Sequence, residues 1–527
     1  MAFSFFFGWE IMALSAFFLV TTQDDRQDVR DAGWLYLVAA HVSTLSLLAL
    51  FAVLHSVNGS FTLAAVDEGR LTEATGMTVF VLALVGFGLK AGIMPFHVWL
   101  PSSHAIAPSH VSAIMSGVII KMGIYGMMRI MSLLPTPPVW WGGIVLALGA
   151  GSGVLGVAFA IAQHDLKRLL AYHSIENIGI IVIGLGLALI GRSLSRADWI
   201  IVGLGGALLH VWNHALFKAL LFLSAGCVIR TTQTREIDHL GGLAKRMPWT
   251  AGCFLVGAVA ICGLPPLNGF VSEFLIYLGL FATLGNANGP SFAAAAFAVP
   301  ALALIGALAL ACFVKAYGAV FLGTARTHHA HKPRESPPSM LLPMGGLVGC
   351  CVVIGLAPSL AAPILEAGVS TWAPEINDAG LRLVTLAPLD WITMMGVLLI
   401  TALLLASVVL WLRLRKSVVE HNITWGCGYR SPTPRMQYTS SSFAQMLVGL
   451  FGWVLRPRVR RPQDLGLFPQ KAEFASEVSD TLLDDAVLPT FRFGAWLLSW
   501  SRVLHQGSIQ AYVLYMVIAL IALLLWR

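Results

Sequence analysis

Charge is what this 527-residue sequence has least of: Asp, Glu, Lys and Arg together make up 11%, against about 25% in soluble domains. With 57% hydrophobic residues and a mean hydropathy of +0.79, that scarcity excludes a soluble globular protein. The net charge of +7 does not point to nucleic acid, because the basic residues fall in loops between apolar runs and read as membrane topology. Cysteine is also sparse. Of seven, Cys227, Cys253, Cys262, Cys312, Cys350 and Cys351 lie mostly inside apolar runs and only Cys427, in WGCGY, lies in a polar one. No CxxC or Cys/His ligand spacing occurs, so neither a disulfide framework nor an iron–sulfur site is supported. The start has no basic n-region, and Glu10 interrupts its apolar run, so no cleavable signal is read there. No Gly-rich phosphate loop, nucleophile triad or haem-ligand pattern stands out.

Long apolar runs are what the sequence does have. Twelve are long enough or nearly long enough to cross a bilayer: 2–22, 34–57, 78–100, 110–131, 140–162, 169–190, 199–229, 249–281, 297–322, 341–356, 391–412 and 509–526. Lys and Arg concentrate in the odd-numbered loops, including Arg26, Arg30, Lys167, Arg168, Arg230, Arg235, Lys245 and Arg246. Those loops are therefore expected on the cytoplasmic side. The segment 413–508 then lies on that side too. It carries RPRVRRP at 456–462, suited to an anionic lipid surface. Its 473–505 stretch is expected to form an amphipathic helix along the membrane, interrupted near Pro489.

Several apolar runs carry ionisable residues in their interior. A charge at a membrane helix centre costs at least roughly 2.5–3.5 kcal/mol, so these residues need a use. Lys90 sits among Gly86, Gly88, Gly92 and Pro95, and Lys121 sits in the next run. Helix breaks of that kind are tolerated at membrane depth only under protein or beside a wet cavity, and they mark ion pathways in transporters. Glu10 and Lys90 are expected to form a pair whose separation changes the proton affinity of the lysine. Lys121, His210, His214, Lys218, Glu273 and Lys315 continue the row. His210 and His214 are four residues apart, hence on one helix face, with Lys218 a turn further. A metal site is disfavoured there, since no carboxylate completes the set and the lysine repels a cation. Glu176 is read either as a member of the row or as a cap of its helix start. His97, His104 and His110 are read as packing residues near the interface. An internal repeat is suggested by three likenesses, which set Glu10 against Lys218, the Lys90 segment against the Glu273 segment, and Lys121 against Lys315.

These residues carry a resemblance. VGFGLKAGIMPFHVWLPSSHAIAPSHVSAIMSGVIIKMGIYGMMR, HDLKRLLAYHSIENIGII, HVWNHALFKALLFLSAG and GLPPLNGFVSEF are similar to the antiporter-like subunits of respiratory complex I, Mrp antiporters and membrane-bound hydrogenases. WEIMALSAFFLV and TWGCGYRSPTPRMQYTSSSF most resemble the large membrane subunit of hydrogenase-4 and formate hydrogenlyase complexes. The resemblance implies fourteen to sixteen helices, inverted five-helix repeats, a half-channel in each and a central charged axis. It casts Glu10 and Lys90 as the family's Glu–Lys pair, Lys121 as a bridge, His210, His214 and Lys218 as the second-half lysine region, and Glu273 as the exit. By the same resemblance about four helices would precede the one holding Glu10. A second chain, a deletion or a misassigned start codon would account for them, and a true loss would leave the first half-channel without a wall. His110 departs from the family too, where a proline is usual.

The expected fold is thus an all-α polytopic membrane protein with about twelve transmembrane helices. Its expected parts are a truncated first repeat (1–132), a second repeat (133–322), additional helices (323–412), a cytoplasmic segment with a lateral helix (413–508) and a closing helix (509–527). The expected function is proton translocation in the inner (cytoplasmic) membrane by a non-redox subunit of a hydrogenase-like or complex I-like assembly. No cofactor is expected on this chain, with NiFe and iron–sulfur centres in partner subunits. Other membrane and peripheral subunits and lipid are the expected partners, and nucleic acid is not. The alternatives are an Mrp-type sodium/proton antiporter subunit and a non-pumping membrane anchor.

Overall fold

A computed structural model describes residues 2–286, 289–327, 333–415, 433–434, 436–460, 475–500, 513–518 and 520–521. Residues up to Val478 form one compact unit, and Ser479–Arg527 form a second. The first is helical almost throughout, as apolar segments in lipid must be to satisfy their own backbone. Its principal helices are α1 (Ala2–Val20), α2 (Gln27–Asn58), α3 (Glu73–Ala91), α4 (Trp99–Ile106), α5 (Ser109–Leu133), α6 (Val139–Ile161), α7 (Leu166–Ser193) and α8 (Ala197–Thr232), followed by α9 (Pro248–Ile261), α10 (Asn268–Asn286), α11 (Pro290–Phe321), α12 (Pro338–Leu356), α13 (Ala362–Trp372), α14 (Leu389–Leu414) and α15 (Ser440–Leu450). Eleven helices among the described residues are long and apolar enough to cross a membrane, and they match the first eleven apolar runs one for one. The twelfth run, 509–526, lies largely outside the described residues, as does WGCGY.

Two crossings are broken. Helix α3 stops at Gly92, whose φ of +76° ends the helix in the left-handed conformation, and α4 resumes at Trp99. Backbone groups freed by this break have partners inside the protein: Trp99 Nε1 donates to the Leu89 carbonyl at 2.7 Å, and the Met94 amide donates to Ser152 Oγ of α6 at 3.0 Å. The run 249–281, counted as one span but interrupted by GLPPLNGF in the sequence, is likewise two helices, α9 and α10, parted at the GLPP turn. There Asn213 Nδ2 of α8 donates to the Asn268 carbonyl at 2.7 Å.

The centre is the α6–α7–α8 layer, where α7 is buried along its apolar length. Glycine makes this possible, because a side chain on either helix would hold the backbones apart. A Cβ on Gly179 would stand 2.5 Å from the Gly149 carbonyl oxygen, and one on Gly186 would stand 2.5 Å from the Leu146 amide. Helix α7 starts at Asp165, whose side chain accepts from the amides of Lys167 and Arg168 at 2.8 and 3.0 Å. Glu176 is therefore no cap; it lies well inside the helix.

Beyond α15, Arg458–Arg460 pairs antiparallel with Ala475–Glu477, a ladder that the basic run 456–462 did not suggest. In the second unit, a π turn at Leu483–Val487 leads into α16 (Leu488–Ser499). The helix passes through Pro489 without ending. A widened turn just before a proline relieves its clash with the preceding carbonyl. The outer parts of the expected lateral helix, 473–474 and 501–505, lie outside the described residues.

Candidate functional site

Three groups of buried polar residues run through the first unit. The first lies between α1, α2 and α3. Lys90 Nζ donates to Tyr36 Oη at 3.1 Å and lies 5.2 and 5.7 Å from the ring centres of Tyr36 and Trp9. Glu10 accepts from the Thr44 hydroxyl. The expected Glu10–Lys90 pair is thus not in direct contact: Lys90 takes Tyr36 and Glu10 takes Thr44, two residues eight apart on one face of α2. Two neutral hydroxyls of one helix, Tyr36 accepting from Lys90 and Thr44 donating to Glu10, serve the two charges, while the Glu10 charge still bears on Lys90; spacing alone gave no sign of them.

The second group joins the two halves. Residues Met115–Ile119 of α5 form a π turn, a widening that often marks functional positions. Lys121 donates to the Ser116 carbonyl there, and Ser116 Oγ lies 2.8 Å from Ser174 Oγ of α7. Ser174 Oγ also reaches the Leu170 carbonyl at 3.4 Å, and that carbonyl accepts from Lys218 of α8. Lys121 and Lys218 are therefore linked through the carbonyl and hydroxyl of Ser116, the Ser174 hydroxyl and the Leu170 carbonyl. Lys218 Nζ lies 5.3 Å from the Phe222 ring centre, and His104 stacks on the same ring at 5.2 Å. His104 is fully buried and both its ring nitrogens lack a partner. His97 is buried as well, while His110 is exposed. The packing reading of the three histidines fits the buried His97 and His104 and not the exposed His110.

The third group surrounds α8. His210 Nδ1 lies 2.9 Å from Ser272 Oγ and Nε2 lies 3.1 Å from Asn177 Oδ1. Asn213 Nδ2 donates to Ser272 Oγ at 3.0 Å, and Asn268 Nδ2 donates to Asn213 Oδ1 at 3.1 Å. His214, fully buried, has no hydrogen-bond partner on either ring nitrogen, yet the charges of Lys121 and Lys218 bear on it. Glu273 packs its carboxylate against the second break, where a Cβ on Gly263 would stand 2.6 Å from Oε2. Lys315 lies at one end of the row: its Nζ donates to the Ile161 and Gln163 carbonyls at 2.5 and 2.7 Å, a cation at the C-terminus of α6.

Element order moves one of the repeat likenesses by a helix. Lys90 and Glu273 flank the two breaks, and Lys121 and Lys315 lie on the helices that follow them. Counting back from each break, α2 stands opposite α8 and α1 stands opposite α7. Glu10 then corresponds to the helix carrying Glu176, and Lys218 to α2. The likeness of FGWEIMALSAFFL to HALFKALLFLSAG sets α1 against α8 instead.

Nothing in the local sequence, beyond their being polar residues inside apolar runs, marks Tyr36, Thr44, Ser116, Ser174, Asn177, Asn213 and Ser272 as the neutral partners of these charges. Lys167, expected in a loop, is instead buried and donates to the Ala107 carbonyl at the end of α4.

A polytopic all-α membrane protein, with helices broken beside buried lysines and a polar row running between them, has the architecture of an ion-translocating protein. The comparisons define which: the chain belongs to the NADH:quinone oxidoreductase/Mrp antiporter transmembrane family, whose profile matches residues 2–297. It is 38% identical to hydrogenase-4 component B of Escherichia coli (strain K12) over 99% of this chain and 80% of that one. It is 36% identical to formate hydrogenlyase subunit 3 of the same organism, over 85% of this chain and 71% of that one. A chain of the archaeal membrane-bound sulfane sulfur reductase, a respiratory membrane complex, shares the fold at a TM-score of 0.73 and 24% identity, over 99% of this chain and 80% of that one.

Proposed function

We propose that this chain is the proton-translocating, non-redox membrane subunit of a multi-subunit oxidoreductase of the hydrogenase-4 or formate hydrogenlyase kind, working in the cytoplasmic membrane. The observation that carries this reading is the link from Lys121 through Ser116, Ser174 and the Leu170 carbonyl to Lys218, in a chain similar to a hydrogenase-4 component along nearly its whole length. In this reading residues 1–132 and 133–322 act as two antiporter-like repeats, and NiFe and iron–sulfur centres sit in partner subunits.

Each buried lysine has carbonyl or hydroxyl acceptors in place of a paired carboxylate. Its proton therefore depends on nearby charges. At an effective dielectric near 20, two unit charges about 8 Å apart interact by roughly 2 kcal/mol, enough to change proton occupancy some thirtyfold. Electron transfer in a partner that moved one charge at the end of the row would then pass the change along it, lysine by lysine.

The test is Lys218→Ala in the assembled complex, reconstituted in liposomes, with proton uptake and electron transfer both recorded. The expected outcome is loss of this subunit's share of proton translocation while electron transfer partly persists. Full pumping by the variant sinks the proposal, and sodium-dependent pumping by the wild type moves the reading to a sodium/proton antiporter subunit.

A further inference from the structure

We infer that His173 and Glu176 form a proton-holding dyad that loads Lys218 from the cytoplasmic side, by way of Lys315 and the partly exposed His164–Asp238 pair. The inference rests on the proton-translocating reading and adds residues that reading does not use.

The geometry begins inside α7. His173 and Glu176 are three residues apart on one helix face, both fully buried, with His173 Nδ1 in contact with Glu176 Oε2. The other carboxylate oxygen, Oε1, is buried and has no hydrogen-bond partner. Burying an ionisable dyad with half its acceptors unmet is costly, and packing offers no reason for it: the Phe313 ring, 4.6 Å from the imidazole centre, would suit an apolar residue equally well. Glu176 has two charged neighbours. The Lys218 ammonium bears on it, and its own charge bears on Glu273. It therefore stands between the central lysine and the second break, on the helix that element order sets opposite the one carrying Glu10.

On its other side the dyad faces α11. Cys312 lies beside the His173 ring, and the charge of Lys315, one turn further along α11, reaches it. Lys315 is bound to the Ile161 and Gln163 carbonyls, directly before His164. Its charge reaches Asp238 as well. His164 and Asp238 meet at 3.0 Å with side chains 24% and 34% exposed, so this end of the series opens to solvent. The short connection at 162–165, followed by Lys167 and Arg168 in the first turn of α7, belongs to the basic segments expected on the cytoplasmic side.

The proton balance closes without a further reactant. Solvent supplies a proton at the His164–Asp238 pair, which replaces the one that the Lys315 ammonium passes to His173 Nε2. The imidazole releases its Nδ1 proton to Glu176 Oε2. The neutral carboxyl then gives a proton to the Lys218 amine, leaving a carboxylate and an ammonium, and the imidazole resets by returning to its first tautomer. Glu176 and His173 are relay residues in this scheme, and His164 and Asp238 form its mouth.

The test uses the whole complex in liposomes with Glu176→Gln, Glu176→Asp, His173→Gln and Lys218→Ala. Glu176→Gln keeps the shape and the Nδ1 contact but cannot cycle a proton; the expected result is a tenfold or greater fall in proton uptake per electron transferred, with Glu176→Asp recovering much of it. Recovery by the shorter acid separates a relay from a packing role, which Asp would serve worse than Gln. If Glu176→Gln fails to assemble, His173→Gln supplies the same reading. Wild-type pumping in assembled Glu176→Gln, or in His173→Gln, overturns the inference. Pumping lost in Lys218→Ala but kept in Glu176→Gln rejects the dyad alone, whereas pumping kept in both rejects the proton-translocating reading itself.

Discussion

The polar cluster around Lys90 and the one around Lys218 hold similar charges in different settings. Helix α1, which carries Glu10, leaves Phe3, Phe7, Ile11, Leu14 and Phe18 exposed along one face; α7, which carries Glu176, is covered on every side. Near Lys90 each charge has one neutral side-chain partner, Tyr36 or Thr44. Near Lys218 a mesh of Asn177, His210, Asn213, Asn268 and Ser272 ties α7, α8 and α10 together. Buried polar groups are retained where their bonds are met, and a met network resists rearrangement. The second half is thus a fixed frame, whereas in the first each charge hangs on a single side-chain bond from α2, with the Tyr36 and Ser43 hydroxyls also reaching the Ala13 and Gly86 carbonyls.

The largest effect that would sharpen this contrast comes from glycine. Gly179→Ala places a Cβ 2.5 Å from the backbone of α6, whereas a Cβ on Gly8 of α1 meets nothing within 4 Å. Overpacking against backbone costs about 1–3 kcal/mol, and Ala is favoured over Gly in an open helix by up to about 1 kcal/mol. Gly179→Ala is therefore expected to lower the thermal stability of the purified complex markedly, and Gly8→Ala to leave it unchanged or raise it. Equal losses for the two would erase the contrast.

Much of this architecture was legible in the sequence. Apolar runs gave the spans, because lipid admits few alternatives to helix, and glycines and prolines inside the Lys90 run and at GLPPLNGF gave the breaks. Neutral partners were not legible: Ser116 and Ser174 are 58 residues apart, and nothing in either segment announces the other. Glu176 stayed open between two roles because a carboxylate ten residues into a helix looks the same from its neighbours whether it faces lipid, solvent or His173.

A middle-sized effect tests the single bonds of the first half. Tyr36→Phe removes the hydroxyl on Lys90, and a hydrogen bond to a charged group contributes about 1.5–3 kcal/mol. Proton uptake by the complex is expected to fall roughly tenfold with assembly intact. Asn213→Ala, which deletes one of several bonds in the second half, is expected to fall by less. The reverse order would show that the second network, and not the first, is the sensitive one.

The smallest effect lies outside the membrane, at the mouth of the second half. Asp238 accepts from the Ser440 amide at 2.7 Å and meets His164, whose other nitrogen lies 3.1 Å from Ser476 Oγ. One carboxylate thus fastens the start of α15, and one imidazole the 475–477 strand, to the loops around α7. Burial alone would raise the Asp238 carboxyl, but the His164 contact and the Ser440 amide outweigh it and hold the group below its ordinary 3.8. A depressed carboxyl stabilises the folded contact above the unfolded value and loses that contribution as pH falls through the folded one. The fastening is therefore expected to persist through neutral pH and to loosen only below about pH 4. Because the pair is about one third exposed, solvent screening limits its contribution to at most about 1 kcal/mol. Hydrogen exchange over residues 440–450, corrected for the intrinsic rate at each pH, reads it directly: Asp238→Asn should lower protection at neutral pH to the level the wild type shows in acid. Exchange unchanged by the substitution would mean that α15 is held by its apolar face, with Phe443 against Gly318 of α11, and that the polar contacts only orient it.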